Sequence, residues 1–344
     1  MVPPSVRGLF RKTPTIAPIP HRSLLSVTGS QASEFLNGIV ASSGRVLYDA
    51  FVYSHTNPDG KKGYILEYDS RTSEAPPLLS MLKRYVLRSK VRLRDVSEEY
   101  DAWAAWGSEK ESHWETTRRW DPARSAAIEP VWDSEENQCP WGTTPCILRD
   151  RRAVGMGHRL LVKKGSLPQE SSTHEIAPSS AYTLHRILHG VPEGVIDIPP
   201  MQAFPMDSNL DIMGAPNISS RNKTFWISVC SIITALGHTL TPAPLSDAPL
   251  DITPQFPPHL DIRGNIPDTD KGGAQRVRPR GTGKLLTSTN GVGLALLRLQ
   301  HVRAAEEGQV ALEFDLDGND NGSSWQVAHW YPDWWPVLPA EVVQ

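Results

Sequence analysis

Between Thr241 and Arg280 a proline recurs every few residues and no apolar periodicity survives, so ordinary helices and paired strands do not fit there. The chain must then fold as packed parts joined by irregular connections. A second break, polar and tryptophan-dotted, runs from Glu109 to Gln138. Across 344 residues there are 30 prolines and 25 glycines, against a hydrophobic fraction of only 39%. At roughly 100 to 200 residues per domain, that length accommodates two or three domains.

Charge and cysteine usage narrow the class. With 35 Lys and Arg against 38 Asp and Glu the net charge is −3, too near neutrality to advertise a nucleic-acid binder or a polybasic membrane ligand. Cys139, Cys146 and Cys230 show no C-x-x-C spacing, so neither a disulfide scaffold nor a zinc site is expected. Three thiols cannot hold a four-thiolate cluster within one chain. The longest apolar stretch, Trp226 to Leu236, is too short to cross a bilayer, and membrane insertion is not expected. Met1 to Ser33 carries Arg7, Arg11, Lys12 and Arg22 but no acid, the composition of a transit peptide. Prolines at 3, 4, 14, 18 and 20 equally fit a disordered terminus, so residues 1–20 are set apart from the fold.

Periodicity predicts strands over His21 to Thr28, Tyr64 to Tyr68, Val91 to Val96 and Arg159 to Lys163, and helices after Ser30, over Pro77 to Arg88 and over Tyr182 to His189. Arg45 to Tyr53 is apolar on both alternating faces and reads as an interior strand. Gly291 to Leu299 and Gln309 to Leu316 read as strands of a small C-terminal β domain. The Trp-rich HWYPDWWPVLP reads as a packed closing strap.

Asp49 falls within the apolar strand, on the face of Leu47, Phe51 and Tyr53, and a buried charge needs a partner or a ligand. Arg45 and Arg159 are candidate partners. Residues 190–214, GVPEGVIDIPPMQAFPMDSNLDIMG, gather Glu193, Asp197, Asp207, Asn209 and Asp211 on turn-rich sequence, where they can bind a ligand, cap helices or face water. Arg278 to Lys284 lacks phosphate-loop spacing. Cys230, among Ile227, Val229, Ile232 and Ile233, reads as a buried, inert thiol. His185 and His189 share a helix at metal-ligand spacing but lack a third ligand.

HRSLLSVTGSQASEFLNGIV, GRVLYDAFVY, LKRYVLRSKVRLRDVS, VGMGHRLLV, the GVPEG to NLDIMG run and PRGTGKLLTSTNGVGLALLRLQHV together resemble the folate-binding YgfZ family, in its eukaryotic branch of mitochondrial iron-sulfur cluster assembly factors. That branch is similar in fold to the aminomethyltransferase T-protein of the glycine cleavage system. The resemblance implies an α+β fold: a folate-binding region of two interlocked subdomains over 21–240, a linker over 241–280 and a C-terminal β-barrel over 281–340. It implies a mitochondrial matrix protein that helps [4Fe-4S] enzymes such as aconitase and lipoate synthase mature, with A-type scaffold proteins as partners. It also implies tetrahydrofolate as cofactor, held by Arg45, Asp49, Arg159, Glu193, Asp207, Asn209 and Asp211.

Two departures from the family pattern stand out. After NLDIMG the family carries K-G-C-Y-x-G-Q-E, where this chain reads APNISSRNKTFWISVCSIITALGHT, so Cys230 falls near the family cysteine without its motif. Near Ala41 the chain also passes directly from helix to SGRVLYD, where members carry a longer connection. Three expectations follow: an assembly factor that is not classically catalytic, a folate-dependent one-carbon transferase using Asp49, or a variant that has lost the family's chemistry.

Overall fold

The computed structural model describes residues 4–40, 45–56, 60, 62–108, 119–122, 128–131, 146–205, 207–210, 213, 227–235, 255–265, 283–316, 324–332 and 334–335. Asp211 and Cys139 lie outside these residues, as does most of Glu109 to Gln138 and of Thr241 to Arg280.

The N-terminal part is two sheets between which the chain passes repeatedly. One holds β1 (Thr15–Pro18), β6 (Tyr100–Trp106), β9 (Ile147–Arg149), β10 (His158–Lys163) and β11 (Glu175–Ile176), in the order β11-β1-β6-β10-β9. The other holds β2 (Arg22–Thr28), β3 (Ala50–Thr56), β4 (Lys62–Asp69) and β5 (Arg92–Asp95), in the order β3-β4-β2-β5. β7 (Arg119–Pro122) and β8 (Ile128–Val131) pair with each other. Because β1 and β6 belong to one sheet and β2 to β5 to the other, the two units interlock rather than follow one another.

Alternation along the strands builds the layers. Ala17, Leu24, Ile65, Ala102, Ala104, Trp106 and Leu161 meet in one core that draws on both sheets. Leu25, Val27 and Leu66, on the opposite face of the second sheet, pack under the helices Ala32–Val40 and Leu78–Val86. Ile16, Trp103, Ala105 and Leu160 fill the far face of the first sheet. Strands covered on both faces account for the unbroken apolar run in Tyr100–Trp106.

Three expectations are corrected here. Residues 4–20 are not set apart from the fold: β1 is an interior strand, Ile16 and Ala17 are fully buried, and Val6 packs against Ile187 and Leu188. Arg45 to Tyr53 is not one interior strand: the ladder starts at Ala50, and β3 is an edge. Residues 45–49 instead run beside the 201–203 turn, Val46 N–H donating to Ala203 O at 3.0 Å and Met201 N–H to Val46 O at 2.8 Å. That second pairing, with Leu47 and Tyr48 packed over the helix layer, satisfies the two-faced apolar pattern.

The C-terminal part is a closed barrel of β12 (Ile227–Ala235), β13 (Asp261–Asn265), β14 (Gly283–Thr289), β15 (Val292–Arg298), β16 (Ala311–Asp315) and β17 (Ser324–Trp330), in the order β12-β15-β14-β13-β16-β17. Its first two strands precede residue 281, the third correction: β13 comes from the expected linker, and β12, with Cys230 opposite Ala295, from the end of the expected folate region. Phe256, Leu285, Leu297, Leu312 and Phe314 fill the interior. Outside it, Leu286, Val292, Leu294 and Trp330 pack on Val6, Ile187 and Leu188 of the N-terminal part. Trp334 closes the terminus as expected of the strap, its Nε1 donating to His189 O at 2.7 Å.

Candidate functional site

Where the two sheets face each other, charged side chains replace apolar ones at the inward positions. Arg22 opens β2 on the face of Leu24, and Glu67 follows Ile65 on β4. Arg159 shares its face of β10 with Leu161. Asp49 stands one residue before β3. Arg152 lies in the turn after β9, Tyr182 in the helix Ser179–Leu188, and Glu193 at the N-cap of the short helix Gly194–Asp197.

These groups form one ion network. Arg22 Nε donates to Glu67 Oε1 at 3.0 Å, and its Nη1 to Asp49 Oδ2 at 3.1 Å. Arg159 Nη1 reaches the same Glu67 oxygen at 2.8 Å, while its Nη2 donates to Tyr182 Oη at 2.9 Å and to Glu193 Oε2. Tyr53 Oη donates to Glu67 Oε2 at 2.5 Å. Arg152 Nη2 joins Asp150 at 2.6 Å and Glu193 at 2.7 Å, and Tyr182 Oη donates to Glu193 Oε2 at 2.6 Å. The Phe51 ring lies 4.2 Å from the guanidinium of Arg159, 4.7 Å from that of Arg152 and 5.7 Å from that of Arg22, so aromatic carbon fills the space between like charges.

Solvent reaches the network only at its margins, where the side chain of Arg152 is 15% exposed. The side chains of Arg22, Glu67, Arg159 and Glu193 are at most 1% exposed, whereas Asp49 is 13% exposed, the most of these carboxylates. Glu193 Oε2 is crowded with donors, yet its buried Oε1 has no hydrogen-bond partner among the described residues. Burial alone would push the Glu193 carboxyl up, but Arg159, Arg152, Arg22 and Arg186 hold it well below the usual range. Asp150 is likewise lowered: burial opposes it and Arg152 prevails. His21, facing Arg71, Glu193, Asp69 and Arg22, is pushed down to about 4, first by burial and then by Arg71.

The signs agree. Between about 4 and the ordinary histidine value of 6.5 the unfolded chain binds a proton at His21 that the folded chain does not, so stability rises with pH across that window. Glu193 and Asp150 add stability present above their unfolded values and lost as pH falls through the folded ones. Thermal melts are expected to show the melting temperature falling steadily from neutral pH to pH ~4, with His21→Gln flattening the upper half of that fall. A flat profile would remove His21 from this account.

Of the residues expected to form a site, the structure brings together Asp49, Arg159 and Glu193. Arg45 is exposed nearby, donating to Gln202 O at 2.7 Å and lying 4.3 Å over the Phe204 ring. Asp207 accepts from Phe204 N–H at 3.3 Å, and burial raises its carboxyl. Asn209 is buried with φ of 57°. Asp49 does pair with an arginine, but with Arg22 rather than Arg45 or Arg159. Asp197 is buried too: it binds Arg186 and accepts from Glu193 N–H at 3.1 Å. Among the described residues no third ligating side chain joins His185 and His189; His185 stacks on Trp106 at 4.5 Å and bonds Gly155 O at 3.0 Å, and His189 Nδ1 bonds His185 O at 2.8 Å. Arg22, Glu67, Arg152, Tyr182 and Phe51 complete the site. For Arg22 and Glu67 the signal was the one that marked Asp49, a charge at the inward position of an apolar strand.

Known proteins share this architecture and sequence. The family model described as CAF17, C-terminal beta-barrel domain, matches residues 260–337. Glycine cleavage system aminomethyltransferase T from Bartonella henselae has a similar fold, with a TM-score of 0.50 at 12% identity over 94% of this chain and 86% of that one. "Iron-sulfur cluster assembly factor IBA57 homolog, mitochondrial" of Mycosarcoma maydis is 26% identical over 370 residues, covering 93% of this chain and 85% of that protein. The protein of the same name in Cryptococcus neoformans var. neoformans serotype D (strain JEC21 / ATCC MYA-565) is 32% identical over 330 residues, covering 83% of this chain and 84% of the relative. A likeness of that extent, on a fold shared with the T-type aminomethyltransferase and ending in a matched barrel, makes this chain a member of the IBA57 family.

Proposed function

We propose that the chain is a mitochondrial assembly factor for iron-sulfur clusters that binds tetrahydrofolate beside Asp49. The assembly role rests on the relatives' names. The folate reading is carried by one observation: among the carboxylates of a largely buried ion network Asp49 is the one solvent reaches most, held by Arg22. The donor set fits. The pterin edge presents N–H groups, and an ionised carboxylate only accepts. Asp49 and the unpartnered Glu193 Oε1 would hold that edge. Bound tetrahydrofolate supplies amine nitrogens that carry one-carbon units.

The cluster is cargo in this reading, with A-type scaffold proteins as partners, [4Fe-4S] enzymes of the aconitase and lipoate-synthase type as clients, and the matrix as the compartment. Cys146, half-buried, is a poor thiolate ligand, because burial raises its thiol. A transferase reading is favoured only by the aminomethyltransferase fold and the openness of Asp49.

At a hundredfold excess over its Kd, tetrahydrofolate stabilises a native state by about 2.7 kcal/mol, a shift of several degrees in a melt. Asp49→Asn is expected to weaken binding roughly tenfold, the loss of one charge-assisted hydrogen bond. No shift at saturating tetrahydrofolate would refute the folate reading. Failure to restore aconitase activity in cells lacking their own IBA57 homologue would refute the assembly reading, and aminomethyl transfer to tetrahydrofolate would favour the transferase.

A further inference from the structure

The segment LKRYVLRSKVRLRD, flagged in the sequence, plays no part in the ion network. Between Glu74 and Asp95 it holds no acidic residue, while Lys83, Arg84, Arg88, Lys90, Arg92 and Arg94 are all exposed. Arg94 pairs with Glu99; no other described carboxylate pairs with the remaining five. This density is local, since the chain as a whole carries −3. Near neutrality overall had argued against any such surface.

Two apolar groups stand out among these cations. Tyr85 is 48% exposed and Leu87 is 88% exposed. Leu87 caps the helix Leu78–Val86 with φ of 37°, a left-handed conformation that a leucine adopts at a cost. The turn is built rather than loose. Ser89 N–H donates to Val86 O at 2.6 Å, Gln31 Oε1 accepts from Lys90 N–H at 2.7 Å, and Gly29 lies where a Cβ would stand 2.0 Å from Lys90 O. Strand β5, which follows, is the other edge of its sheet. Charge alone could serve to guard that edge. A rigidly held leucine at the tip of the turn does nothing for guarding.

We infer that this face docks the protein onto an anionic lipid surface, with Leu87 and Tyr85 entering the headgroup layer between flanking cations. The chemistry is that of peripheral attachment: an apolar tip a few ångströms deep, and basic side chains at phosphate level. Shape favours lipid over an acidic protein. A protruding tip needs a matching pocket on a protein partner, whereas a headgroup layer yields to it. The attachment is independent of folate and requires no spanning helix, of which there is none long and apolar enough among the described residues.

The test is flotation of the full chain with vesicles of phosphatidylcholine alone, or of phosphatidylcholine mixed with phosphatidylglycerol. Binding is expected only to the mixed vesicles, and to weaken as salt is raised. Arg84→Glu with Arg88→Glu should lower the partition coefficient at least about tenfold. Leu87→Ser should lower it about fivefold while leaving the salt dependence in place. All three residues are exposed, and an unchanged melting temperature checks that the variants fold. Equal binding to both vesicles, or variants that bind like the parent, overturns the proposal. So does a parent that ignores both vesicles, and if it then captures poly-glutamate the face is assigned to an acidic protein instead.

Discussion

Replacing Arg159 by methionine is expected to destabilise the protein by about 3–5 kcal/mol, the usual cost of removing one partner from a buried ion network. Methionine is apolar and stops short of the guanidinium, so the loss combines the charge and its hydrogen bonds to Glu67, Tyr182 and Glu193. Arg159 is fully buried, and its guanidinium joins Glu67, from the second sheet, to Tyr182 and Glu193, from the segment that leads to the barrel. Three guanidiniums, of Arg22, Arg152 and Arg159, face four carboxylates, of Asp49, Glu67, Asp150 and Glu193. Removing one leaves two against four in a space largely closed to water. Urea denaturation should show the loss as a lower midpoint at unchanged slope. Adding Glu193→Gln to Arg159→Met should recover part of it, because the second change removes one of the negative charges that the first left in excess, although Arg152 still pairs with Glu193. A loss under about 1 kcal/mol would mean that solvent reaches the interior of the network, and the buried-network account would fail.

The sequence made the strands and helices legible where one face repeats. Arg22–Thr28, Lys62–Asp69, His158–Lys163, Leu78–Val86 and Ser179–Leu188 all lie within a few residues of their expected bounds. Pairing was not legible, because it depends on distant residues. β1 looks like a proline-rich leader until β6 and β11 supply its neighbours, and β12 and β13 look like a connection until the barrel closes around them. The site divides in the same way. That Asp49 needs a partner follows from the apolar stretch around it; that the partner is Arg22 depends on β2 lying beyond β4 from β3. Arg159 and Glu67, 92 residues apart, meet only because the sheets interlock. Inward charges on apolar strands thus reveal that a network exists but not which ions meet in it.

Asp197 is expected to decide whether the barrel stays attached. Its Oδ2 binds Arg186 and accepts from Glu193 N–H, and its Oδ1 accepts from Thr287 N–H of β14 at 2.9 Å. One fully buried carboxylate thereby ties the Glu193 turn, the Ser179–Leu188 helix and the barrel together. Asp197→Ala leaves a buried guanidinium unpaired and two backbone N–H groups without this acceptor, at a cost of about 3–5 kcal/mol. The apolar contact of Leu286, Val292, Leu294 and Trp330 with Val6, Ile187 and Leu188 survives the change, so the parts should separate on heating rather than fail to assemble. Calorimetry is expected to turn one transition into two, the barrel retaining its interior of Phe256, Leu285 and Phe314 through the first. Asp197→Asn keeps an acceptor for Thr287 but not the charge for Arg186, and should fall between the two. A single transition at the parent temperature in Asp197→Ala would show that the apolar contact alone fixes the barrel, leaving Asp197 to order only the turn that carries Glu193.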